Sequence, residues 1–456
     1  MAPLSYPPLA ELRQLLAAPG ASPPGGAVAS ISTDSRLLQP GALFVALLGE
    51  RYDGHDYVAA ALARGAVAAV VQRPWRAGSV SEWQLLRVAS PLQAYQTLAR
   101  WQRQQFGGPV IAVTGSVGKT TTKELIAAAL GAIGPVLATA GNLNHETGVP
   151  LTLLKLQPDH GVAVIEMGMR GLGQILELGQ IALPNVAVIT NVGTAHIGLL
   201  GSREQIAQAK CELLATLDPA GIAVLNADCP LLLETARSVW RGKTLTFGLT
   251  GGEVHGELVG DRQIAVAGQR FELPLTGVHN AMNFLAALAV ARHLGVSWDQ
   301  LRNLSVVLPP GRARRLELSN QVVVLDESYN AGPESTVAAL ELLAQQPARR
   351  RIAVLGTMME LGDHSVPLHR QVGEAVAALG LDLLLVVADS AEAEALTAGA
   401  GGVTSRCYSR REPLVDDLRD TLRPGDCVLL KASRAVGLDQ VLTALADESS
   451  TGRPSG

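Results

Sequence analysis

The segment VIAVTGSVGKTTTKE at 110–124 combines residue types that could hold the phosphates of a nucleotide. An apolar run leads into a glycine-containing loop, and Lys119 and Thr120 follow at the start of a predicted helix. Loop glycines let backbone N–H groups approach a phosphate, and the helix N-terminus adds the positive end of its dipole. Lys119 would reach the β- and γ-phosphates, and the Thr120 hydroxyl would ligate Mg²⁺. The predicted nucleotide contacts are Gly115, Ser116, Val117, Gly118, Lys119, Thr120 and Thr121.

This loop departs from the full Walker pattern at one position. The pattern asks for glycine five residues before Gly118, where the chain has Val113, and Gly115 is the earlier loop glycine instead. The strand, loop and helix nevertheless follow one another in the correct order. We therefore predict nucleotide binding rather than a chance Gly-Lys-Thr turn.

Two further polar side chains come directly after apolar runs. Glu166 ends the run GVAVIE, and His196 closes the segment ITNVGTAH. The carboxyl ends of neighbouring parallel strands meet at one edge of a sheet, which would bring both side chains to the phosphate loop. A carboxylate there can bind Mg²⁺. A solvated glutamate and a structural histidine are the alternatives, and the neighbouring loop favours a metal site.

Lysine is scarce in this chain, with six lysines beside 31 arginines. A lysine kept in such a background can do what arginine cannot, such as acting as a compact point charge or losing its proton. Codon bias and chance would also explain the imbalance. The scarcity directs attention to Lys210, which lies on a predicted helix in GSREQIAQAKCELL.

Continuous apolar runs separated by helix-like segments predict the sheet that would position these residues. Such runs are typical of parallel strands covered by helices on both faces. Functional residues collect at the carboxyl ends of the strands in sheets of this kind. The runs in the middle of the chain are VIAVTG (110–115), VLATAG (136–141), GVAVIEMG (161–168), NVAVITNVG (185–193) and GIAVLNAD (221–228).

Other parts of the chain have different patterns. Residues 1–90, with the strand-like ALFVAL and the helix-like YVAAALARGA, indicate a small α/β unit. Residues 244–275 contain short, partly alternating segments typical of an antiparallel excursion, and a long helix is predicted at 279–294. The segment 309–318, PPGRARRLEL, is a candidate hinge. Beyond it the α/β pattern resumes in VVVLDESYN (322–330), RIAVLG (351–356), LLLVVAD (383–389) and CVLLKAS (427–433).

Length and composition place further bounds on the protein. At about 150 residues per domain, 456 residues indicate three domains, predicted at 1–90, 91–313 and 314–456. With 48% hydrophobic and 17% charged residues, the chain can bury a large core, and this excludes disorder for its bulk. The net charge of −4 gives no basic field of the kind that holds nucleic acid.

The sequence also indicates a cytoplasmic protein without a membrane span. Its apolar stretches are strand-sized, below the roughly 18 residues that a membrane span needs. The first residues lack the basic and apolar regions of a secretory signal. The four cysteines form no CxxC pair, so we expect reduced thiols and neither a disulfide nor a zinc framework.

Several long motifs, in one order along nearly the whole chain, resemble those of the Mur ligases, the ATP-dependent amide-forming enzymes of peptidoglycan precursor synthesis. The stretches GNLNHETGVPLTLL and DESYNAGPEST indicate the member that adds a dipeptide rather than a single amino acid. The segments that carry the resemblance are TDSRLLQPGALFVALLGERYDGHDY (33–57), TGSVGKTTTKE (114–124), TAGNLNHETGVPLTLL (139–154), AVIEMGMRGLGQI (163–175), AQAKCELL (207–214), GVHNAMNFLAALAVA (277–291), PPGR (309–312), LDESYNAGPEST (325–336), GTMMELGDHS (356–365) and LLKASR (429–434).

This resemblance implies a fold and an activity. The fold is α/β with three domains: a small N-terminal UDP-binding domain, a central P-loop ATPase domain with a parallel sheet, and a C-terminal Rossmann-like domain. The activity is ATP-dependent ligation of D-alanyl-D-alanine to UDP-N-acetylmuramoyl-tripeptide through an acyl phosphate. ATP, Mg²⁺ and the two small-molecule substrates are the implied ligands, and a monomer in the cytoplasm is expected.

The resemblance also implies roles for the residues already singled out. Lys119 and Thr120 would serve the γ-phosphate and the first Mg²⁺. Glu166 would bridge the metal ions, and His196 would ligate the second. Lys210 matches the lysine that family members carbamylate with CO₂, which requires a neutral amine and therefore could not be arginine.

The remaining implied roles concern adenosine and the two substrates. Asn283 would contact adenine, while Arg312 and Asp326 would reach phosphate and ribose across a hinge near residues 312–316. Thr33, Ser35 and Arg36 would bind the UDP group. Asn142, Asn144 and Thr147 would line the channel for the diphosphate, sugar and peptide. The residues that would present the incoming dipeptide are Tyr329, Asn330, Ser335, Lys431 and Arg434.

Four alternatives can be weighed on sequence features. A Mur ligase that adds diaminopimelate carries a DNPR signature, which this chain lacks. Folylpolyglutamate synthase shares the architecture, but the STDSR segment before residue 100 argues against it. A P-loop switch would not need Glu166, His196 and Lys210 together, and the NKxD motif of GTPases is missing. A hydride-transfer enzyme is disfavoured because Gly171-Leu172-Gly173 lacks the third glycine of its fingerprint.

Overall fold

The computed structural model describes residues 6–19, 27–75, 78, 80–318 and 320–450. Within these residues the strands form three sheets of four, nine and six strands, and helices pack against them. The expected α/β class with three domains is confirmed. We name the N-terminal, central and C-terminal domains after the sheet that each contains.

The N-terminal domain is built on a parallel sheet with the strand order β1-β2-β3-β4. The strand within ALFVAL is buried along its whole length, as its apolar residues predict. The elements are α1 (Leu9–Leu15), β1 (Ser30–Ser32), β2 (Ala42–Val45), α2 (Val58–Ala63), β3 (Ala68–Gln72) and β4 (Leu85–Val88).

The central sheet has the strand order β13-β12-β11-β10-β9-β8-β5-β7-β6. All five apolar runs predicted for the middle of the chain are parallel strands of this sheet. The strand that precedes the phosphate loop, β5, lies between β7 and β8, so the ends of all three meet at one edge. The strands are β5 (Val110–Thr114), β6 (Val136–Ala138), β7 (Val162–Glu166), β8 (Val186–Ile189), β9 (Ile222–Asn226), β10 (Lys243–Gly248), β11 (Val254–Val259), β12 (Gln263–Val266) and β13 (Gln269–Glu272).

Helices cover both faces of the central sheet. On one face, α4 packs against α10, whose alanine-rich sequence is buried almost all round. On the other face, α3 begins at a serine cap, where the Ser90 hydroxyl accepts a hydrogen bond from the Gln93 amide. The helices are α3 (Pro91–Gln105), α4 (Lys119–Leu130), α5 (Gly148–Leu153), α6 (Gln174–Ala182), α7 (Ile197–Leu200), α8 (Arg203–Cys211), α9 (Pro230–Val239) and α10 (Val278–His293).

The predicted antiparallel excursion at 244–275 is only partly correct. The pairs β11–β12 and β12–β13 are antiparallel, as expected. The first strand of the segment, β10, instead pairs in parallel with both β9 and β11. Its alternating pattern arises because one end lies at the surface, where Lys243 and Thr244 are exposed.

The C-terminal sheet has the order β14-β15-β19-β16-β17-β18 and is parallel except for β14. The four apolar runs predicted after residue 320 correspond to β15, β16, β17 and β19. The elements are β14 (Arg314–Glu317), β15 (Val323–Asp326), α11 (Pro333–Ala344), β16 (Arg350–Gly356), α12 (Ser365–Ala378), β17 (Leu383–Val387), α13 (Ser390–Gly399), β18 (Thr404–Tyr408), α14 (Arg411–Thr421), β19 (Asp426–Lys431) and α15 (Leu438–Ser450).

The segment expected to be a hinge belongs largely to the C-terminal domain. Residues 314–317 form β14, which pairs with β15 over four positions. Upstream, the Gly311 carbonyl accepts a hydrogen bond from the Tyr329 amide at 3.0 Å. The Ala313 amide donates to Glu327 Oε1 at 2.9 Å. These bonds tie residues 311–317 to the C-terminal domain, which favours a pivot before Gly311 over one within 312–316.

None of the helices in the described ranges is long and apolar enough to cross a membrane.

All four cysteines are free thiols in this structure. Cys211, Cys229 and Cys427 are buried, whereas Cys407 is exposed on β18, the strand at the outer edge of the C-terminal sheet.

Candidate active site

The phosphate loop joins β5 to α4 and is held in place by residues that follow β8. The Thr190 hydroxyl and the Asn191 amide group donate to the Val117 carbonyl at 2.6 and 3.1 Å. The Val117 amide donates to Asn191 Oδ1 at 3.0 Å, and the Ser116 hydroxyl accepts from the Gly193 amide at 2.9 Å. These four hydrogen bonds hold the loop in its conformation.

The last loop residue, Gly118, is constrained by its backbone and by its neighbour. Its φ is +81°, in the left-handed region, and a Cβ there would lie 2.4 Å from Asn283 Oδ1. Asn283 is buried on α10 and accepts a hydrogen bond from the Thr122 hydroxyl at 3.1 Å. The structure thus places Asn283 against the phosphate loop, and its contact with adenine stays a prediction.

Replacing Gly118 with alanine is expected to weaken ATP binding. The left-handed backbone and the contact with Asn283 would cost the phosphate-binding conformation about 1–3 kcal/mol, which corresponds to a dissociation constant raised about 5- to 150-fold. Calorimetric titration with ATP measures this change. Gly251 is the matched control, because a Cβ there meets nothing within 4 Å. Equal affinities of wild type and Gly118→Ala would contradict the assignment of this loop.

The Lys119 ammonium lies over the phosphate loop. Its Nζ donates to the carbonyls of Gly115 and Ser116 at 2.8 and 3.3 Å. An ammonium has three donor hydrogens, so one remains for a phosphate oxygen. Burial lowers the pKa of the Lys119 amine, and the nearby Glu166 carboxylate opposes this shift. The carboxylate therefore helps to keep the lysine charged.

Glu166 ends β7 and is 2% exposed. Its Oε1 accepts a hydrogen bond from Asn144 Nδ2 at 2.7 Å, and its amide donates to Thr139 Oγ1 at 3.0 Å. Its Oε2 is buried and has no hydrogen-bond partner within the described chain. An unpaired buried carboxylate oxygen is unfavourable unless a cation binds it. Glu166 Oε2, whose carboxylate also acts on the charge of Lys119, is therefore the atom that best fits a Mg²⁺ ligand.

Thr120, another expected metal ligand, directly follows Lys119 in the chain. It is the second residue of α4 and is 2% exposed. Across residues 6–450, wherever the structure describes the chain, no three His, Cys, Asp or Glu side chains form a metal-binding group. A metal ion here would therefore rely on the Thr120 hydroxyl, phosphate oxygens and water besides carboxylate, as is usual for Mg²⁺.

His196 follows β8 and stands at the N-terminus of α7 with φ +69°. Its Nδ1 contacts Glu360 Oε2 of the C-terminal domain at 2.5 Å. Glu360 also contacts Arg170, which follows β7, at 3.3 Å. The strand order places His196 at the same sheet edge as the phosphate loop, as the sequence predicts. Its contact with Glu360 is a feature that the sequence did not predict.

Lys210 lies on α8 and is 1% exposed. No hydrogen bond or ion pair engages its Nζ within the described residues. Burial lowers the pKa of this amine well below its usual value, and the positive charge of Lys119 adds to the effect. This shift favours the neutral form of the amine over the charged form. It fits the requirement for carbamylation.

The C-terminal domain contributes a cluster around Tyr329. The guanidinium groups of Arg312 and Arg434 lie 3.8 and 5.3 Å from the centre of its ring. Arg312 Nε is buried without a partner in the described chain, and the charge of Arg312 acts on Lys119. Asp326, 2% exposed, accepts from the Ser328 hydroxyl at 2.5 Å. Arg312 is thus the predicted residue that approaches the phosphate loop from this side.

Other predicted dipeptide contacts are engaged within the C-terminal domain. Lys431 is 3% exposed; its Nζ donates to the Asn330 carbonyl at 3.1 Å and lies 3.9 Å from Glu327. The Ser335 hydroxyl accepts from the Gly332 amide at 3.1 Å, where it caps α11. Ser335 therefore has a structural role here, and its contact with substrate stays a prediction.

The residues expected to bind the nucleotide-sugar lie in two separate parts of the chain. Arg36 is exposed and pairs with Asp34 at 2.7 Å, on a loop that also contains the half-buried Thr33 and Ser35. Thr147 contacts only His145 through its side chain within the described residues. Asn142 and Thr147 stay near Asn144 in sequence, but only Asn144 touches a predicted metal ligand.

Sequence reasoning missed one buried charge that supports the site. Lys123 is fully buried, and its Nζ donates to the Thr139 carbonyl at 2.6 Å and to Glu124 at 2.5 Å. The Thr139 hydroxyl in turn holds the Glu166 amide. The scarcity of lysine could have pointed to Lys123, which lies one helical turn after Lys119.

Comparison with protein families accounts for most of the chain. The Mur ligase family catalytic domain matches residues 27–99, and the Mur ligase middle domain matches residues 113–291. The Mur ligase glutamate ligase domain matches residues 311–434.

Similar proteins and solved structures agree with these matches. UDP-N-acetylmuramoyl-tripeptide–D-alanyl-D-alanine ligase of Synechocystis sp. is 52% identical over 92% of this chain and 93% of its own length. The Escherichia coli protein of the same name is 37% identical over 92% of this chain and 94% of its own length.

The crystal structure of MurF from Acinetobacter baumannii superposes with a TM-score of 0.86 at 33% identity, covering 97% of this chain and 99% of that one. The crystal structure of MurF ligase from Thermotoga maritima in complex with ADP superposes with a TM-score of 0.82 at 32% identity, covering 93% of this chain and 98% of that one. With these relatives and the three family matches, the chain belongs to the Mur ligase family.

Proposed function

We propose that this protein is an ATP-dependent ligase that joins D-alanyl-D-alanine to UDP-N-acetylmuramoyl-tripeptide in peptidoglycan precursor synthesis. The observation that carries the proposal is the 52% identity, over 92% of the chain, to a protein named for this reaction. The phosphate loop, with Lys119 above it and the unpaired oxygen of Glu166 beside it, supplies the chemistry that the reaction needs.

The first step activates a carboxylate. An oxygen of the peptide carboxylate attacks the γ-phosphorus of ATP, and the bond from that phosphorus to the β,γ-bridging oxygen breaks. The products are ADP and an acyl phosphate. Two anions must meet, so positioning and positive charge provide most of the catalysis. Lys119 and the loop amides hold the phosphates, and Arg312 adds charge from the C-terminal domain.

Magnesium would be held by Thr120 and Glu166, with His196 serving a second ion. It would neutralise charge that develops on the phosphate oxygens. Asn144 orients the Glu166 carboxylate through its 2.7 Å hydrogen bond.

The second step forms the amide. The dipeptide amine attacks the acyl carbon, the tetrahedral intermediate expels phosphate, and the amine loses a proton. We propose that Tyr329, Asn330, Ser335, Lys431 and Arg434 present the dipeptide. We propose that Thr33, Ser35, Arg36, Asn142 and Thr147 hold the nucleotide-sugar.

Lys210 would act as its carbamate. The neutral amine attacks CO₂, forms a C–N bond and releases one proton, which converts a buried amine into an anion. That anion would face the metal site, whose other charges include Lys119.

An acyl phosphate hydrolyses in contact with water, so the site must close during the reaction. We propose that the chain divides near residue 90 and at 310–313, and that the C-terminal domain closes about the segment before Gly311. We also propose that the protein acts as a cytoplasmic monomer.

Phosphate release from ATP and Mg²⁺ tests the function. The reaction is run with UDP-N-acetylmuramoyl-tripeptide, with and without D-alanyl-D-alanine. Single amino acids, and folate with glutamate, serve as parallel acceptor sets. Release that requires both the tripeptide and the dipeptide is expected. Turnover only in another set, or ATP binding with no turnover in any, would contradict the proposal.

A further inference from the structure

Glu360 is a residue of the C-terminal domain that makes three contacts with the central domain. Its Oε2 lies 2.5 Å from His196 Nδ1, and its Oε1 lies 3.3 Å from Arg170 Nε. Its carbonyl accepts a hydrogen bond from the Gly198 amide at 3.1 Å. One residue therefore joins the two domains through both its side chain and its backbone.

The backbones of the two domains touch beside this residue. A Cβ on Gly198 would lie 2.4 Å from the Gly362 nitrogen and 2.6 Å from the Leu361 carbonyl carbon. A side chain at position 198 would push the domains apart. The close approach that brings Glu360 to His196 therefore depends on glycine at this point.

The loop that carries Glu360 is fixed within its own domain. The Met358 amide donates to Nε2 of the fully buried His369 at 2.9 Å. The Met359 amide donates to the Ser433 hydroxyl at 2.9 Å, and the Ser433 amide donates to the Thr357 carbonyl at 3.1 Å. Glu360 thus moves with the C-terminal domain as a rigid extension.

Both partners of the contact have unusual backbone conformations. Glu360 has φ +65° and His196 has φ +69°. Non-glycine residues are unfavourable in this region and persist where the surroundings hold them. Because two such residues meet across a domain interface, the strain is concentrated at this contact.

The contact also determines how the His196 ring can act. A carboxylate only accepts hydrogen bonds, so the bond to Glu360 places a proton on Nδ1. In the neutral ring, Nε2 then keeps its lone pair and is free to bind a cation. A carboxylate that holds a histidine in this way orients the ring and raises its basicity as a ligand.

We propose that Glu360 is a positioning residue that makes His196 competent as a metal ligand when the C-terminal domain docks. The proposal rests on the proposed function, because it assigns His196 to the metal site of the ligase reaction. Glu360 does not touch the substrates. It couples domain closure to metal binding through the Nδ1 hydrogen bond.

A second carboxylate at the same interface provides the comparison. Glu334, at the start of α11, accepts a hydrogen bond from the Thr194 amide at 2.6 Å. It crosses the same domain boundary, but its hydrogen bond is to backbone rather than to a predicted metal ligand, and its Oε2 is buried without a partner within the described residues. If Glu360 served only to hold the domains together, loss of either carboxylate would have the same effect on metal binding.

Metal binding distinguishes these roles. Mn²⁺ affinity in the presence of ADP is measured by electron paramagnetic resonance for wild type, Glu360→Ala, Glu360→Asp and Glu334→Ala. Glu360→Ala is expected to raise the Mn²⁺ dissociation constant about 10- to 100-fold. Glu360→Asp keeps the carboxylate and is expected to recover part of this loss. Glu334→Ala and the surface control Glu374→Ala, which removes an exposed pair with Arg370, are expected to stay within about twofold of wild type.

A measurement on unmodified protein keeps the proposal testable if a variant fails to fold. Nitrogen-15 signals of His196 in the metal-free wild type, assigned with a His196→Gln sample, are expected to show a proton on Nδ1. A proton on Nε2 alone would overturn the proposal. Equal shifts in Mn²⁺ affinity for Glu360→Ala and Glu334→Ala, or none for either, would also overturn it. Failure of the ligase function itself would appear separately, as wild-type phosphate release that does not require the dipeptide.

Discussion

The Lys119→Ala variant is expected to lose ligase activity by at least about 10²-fold in kcat/KM for ATP. The Lys119 ammonium is fixed over the phosphate loop by two carbonyls and has one donor hydrogen left for a phosphate. Removal of a preorganised hydrogen-bond donor at a site of developing charge typically lowers kcat by about 10²- to 10³-fold. The loss combines weaker ATP binding with a slower phosphoryl step, and steady-state phosphate release separates the two.

The control for this variant is another lysine removed from the surface. Lys155 is exposed, and Lys155→Ala is expected to keep the wild-type rate within about twofold. Thermal unfolding of both variants checks that the fold is retained. A Lys119→Ala protein that ligates as fast as wild type would refute the assignment of the phosphate loop.

Loss of the Lys210 amine is expected to have a comparable effect. Lys210→Arg introduces a permanent positive charge and cannot become neutral, so it cannot react with CO₂. We expect this variant to lose on the order of 10²-fold or more in kcat, because a buried guanidinium would stand where we propose a carbamate anion. Phosphate release measures the rate, and mass spectrometry of the native protein seeks the CO₂ adduct.

The wild-type enzyme provides a second measure of the same chemistry. Removal of dissolved CO₂ and bicarbonate is expected to lower its activity, and added bicarbonate is expected to restore it. Lys155→Arg is the matched substitution on the surface and should respond to bicarbonate as wild type does. Activity retained in Lys210→Arg, or a wild-type rate indifferent to CO₂, would show that Lys210 acts as an unmodified lysine.

The sequence predicts the parts of the site that depend on local pattern. The apolar runs before Lys119, Glu166 and His196 are continuous because each strand is buried on both faces. Since parallel strands end at a common edge, the pattern also predicts that these residues meet. The strand, the loop with Gly118 and the helix start lie within about 15 residues, so no long-range contact is needed to recognise them.

Edge strands were harder to predict because they lack this signal. The strand β18, with the sequence TSRCY, has polar and exposed positions since one of its sides has no neighbouring strand. The strand β14 lies within 309–318, the segment that the sequence analysis predicts as a hinge. Its pairing with β15 supplies the order that its composition does not indicate.

The contacts between domains could not be predicted from sequence at all. Glu360 and His196 are separated by 164 positions, and Glu334 and Thr194 by 140. No spacing rule relates residues so far apart, because their distance depends on how two separately folded domains approach. The charge of Glu360 is also ordinary for a loop, and only its partners and its backbone conformation distinguish it.

The exposed thiol of Cys407 gives this protein a native attachment point for a spectroscopic label. The other three cysteines are buried, so a maleimide dye would react selectively at the outer edge of the C-terminal sheet without any substitution. Partial burial raises the pKa of the Cys407 thiol, and the thiolate fraction needed for coupling therefore grows at mildly alkaline pH. Since β17 separates this strand from β16, the dye would stand away from the loop that carries Glu360. Energy transfer from that dye to a fluorescent ATP analogue would follow the approach of the two domains in real time.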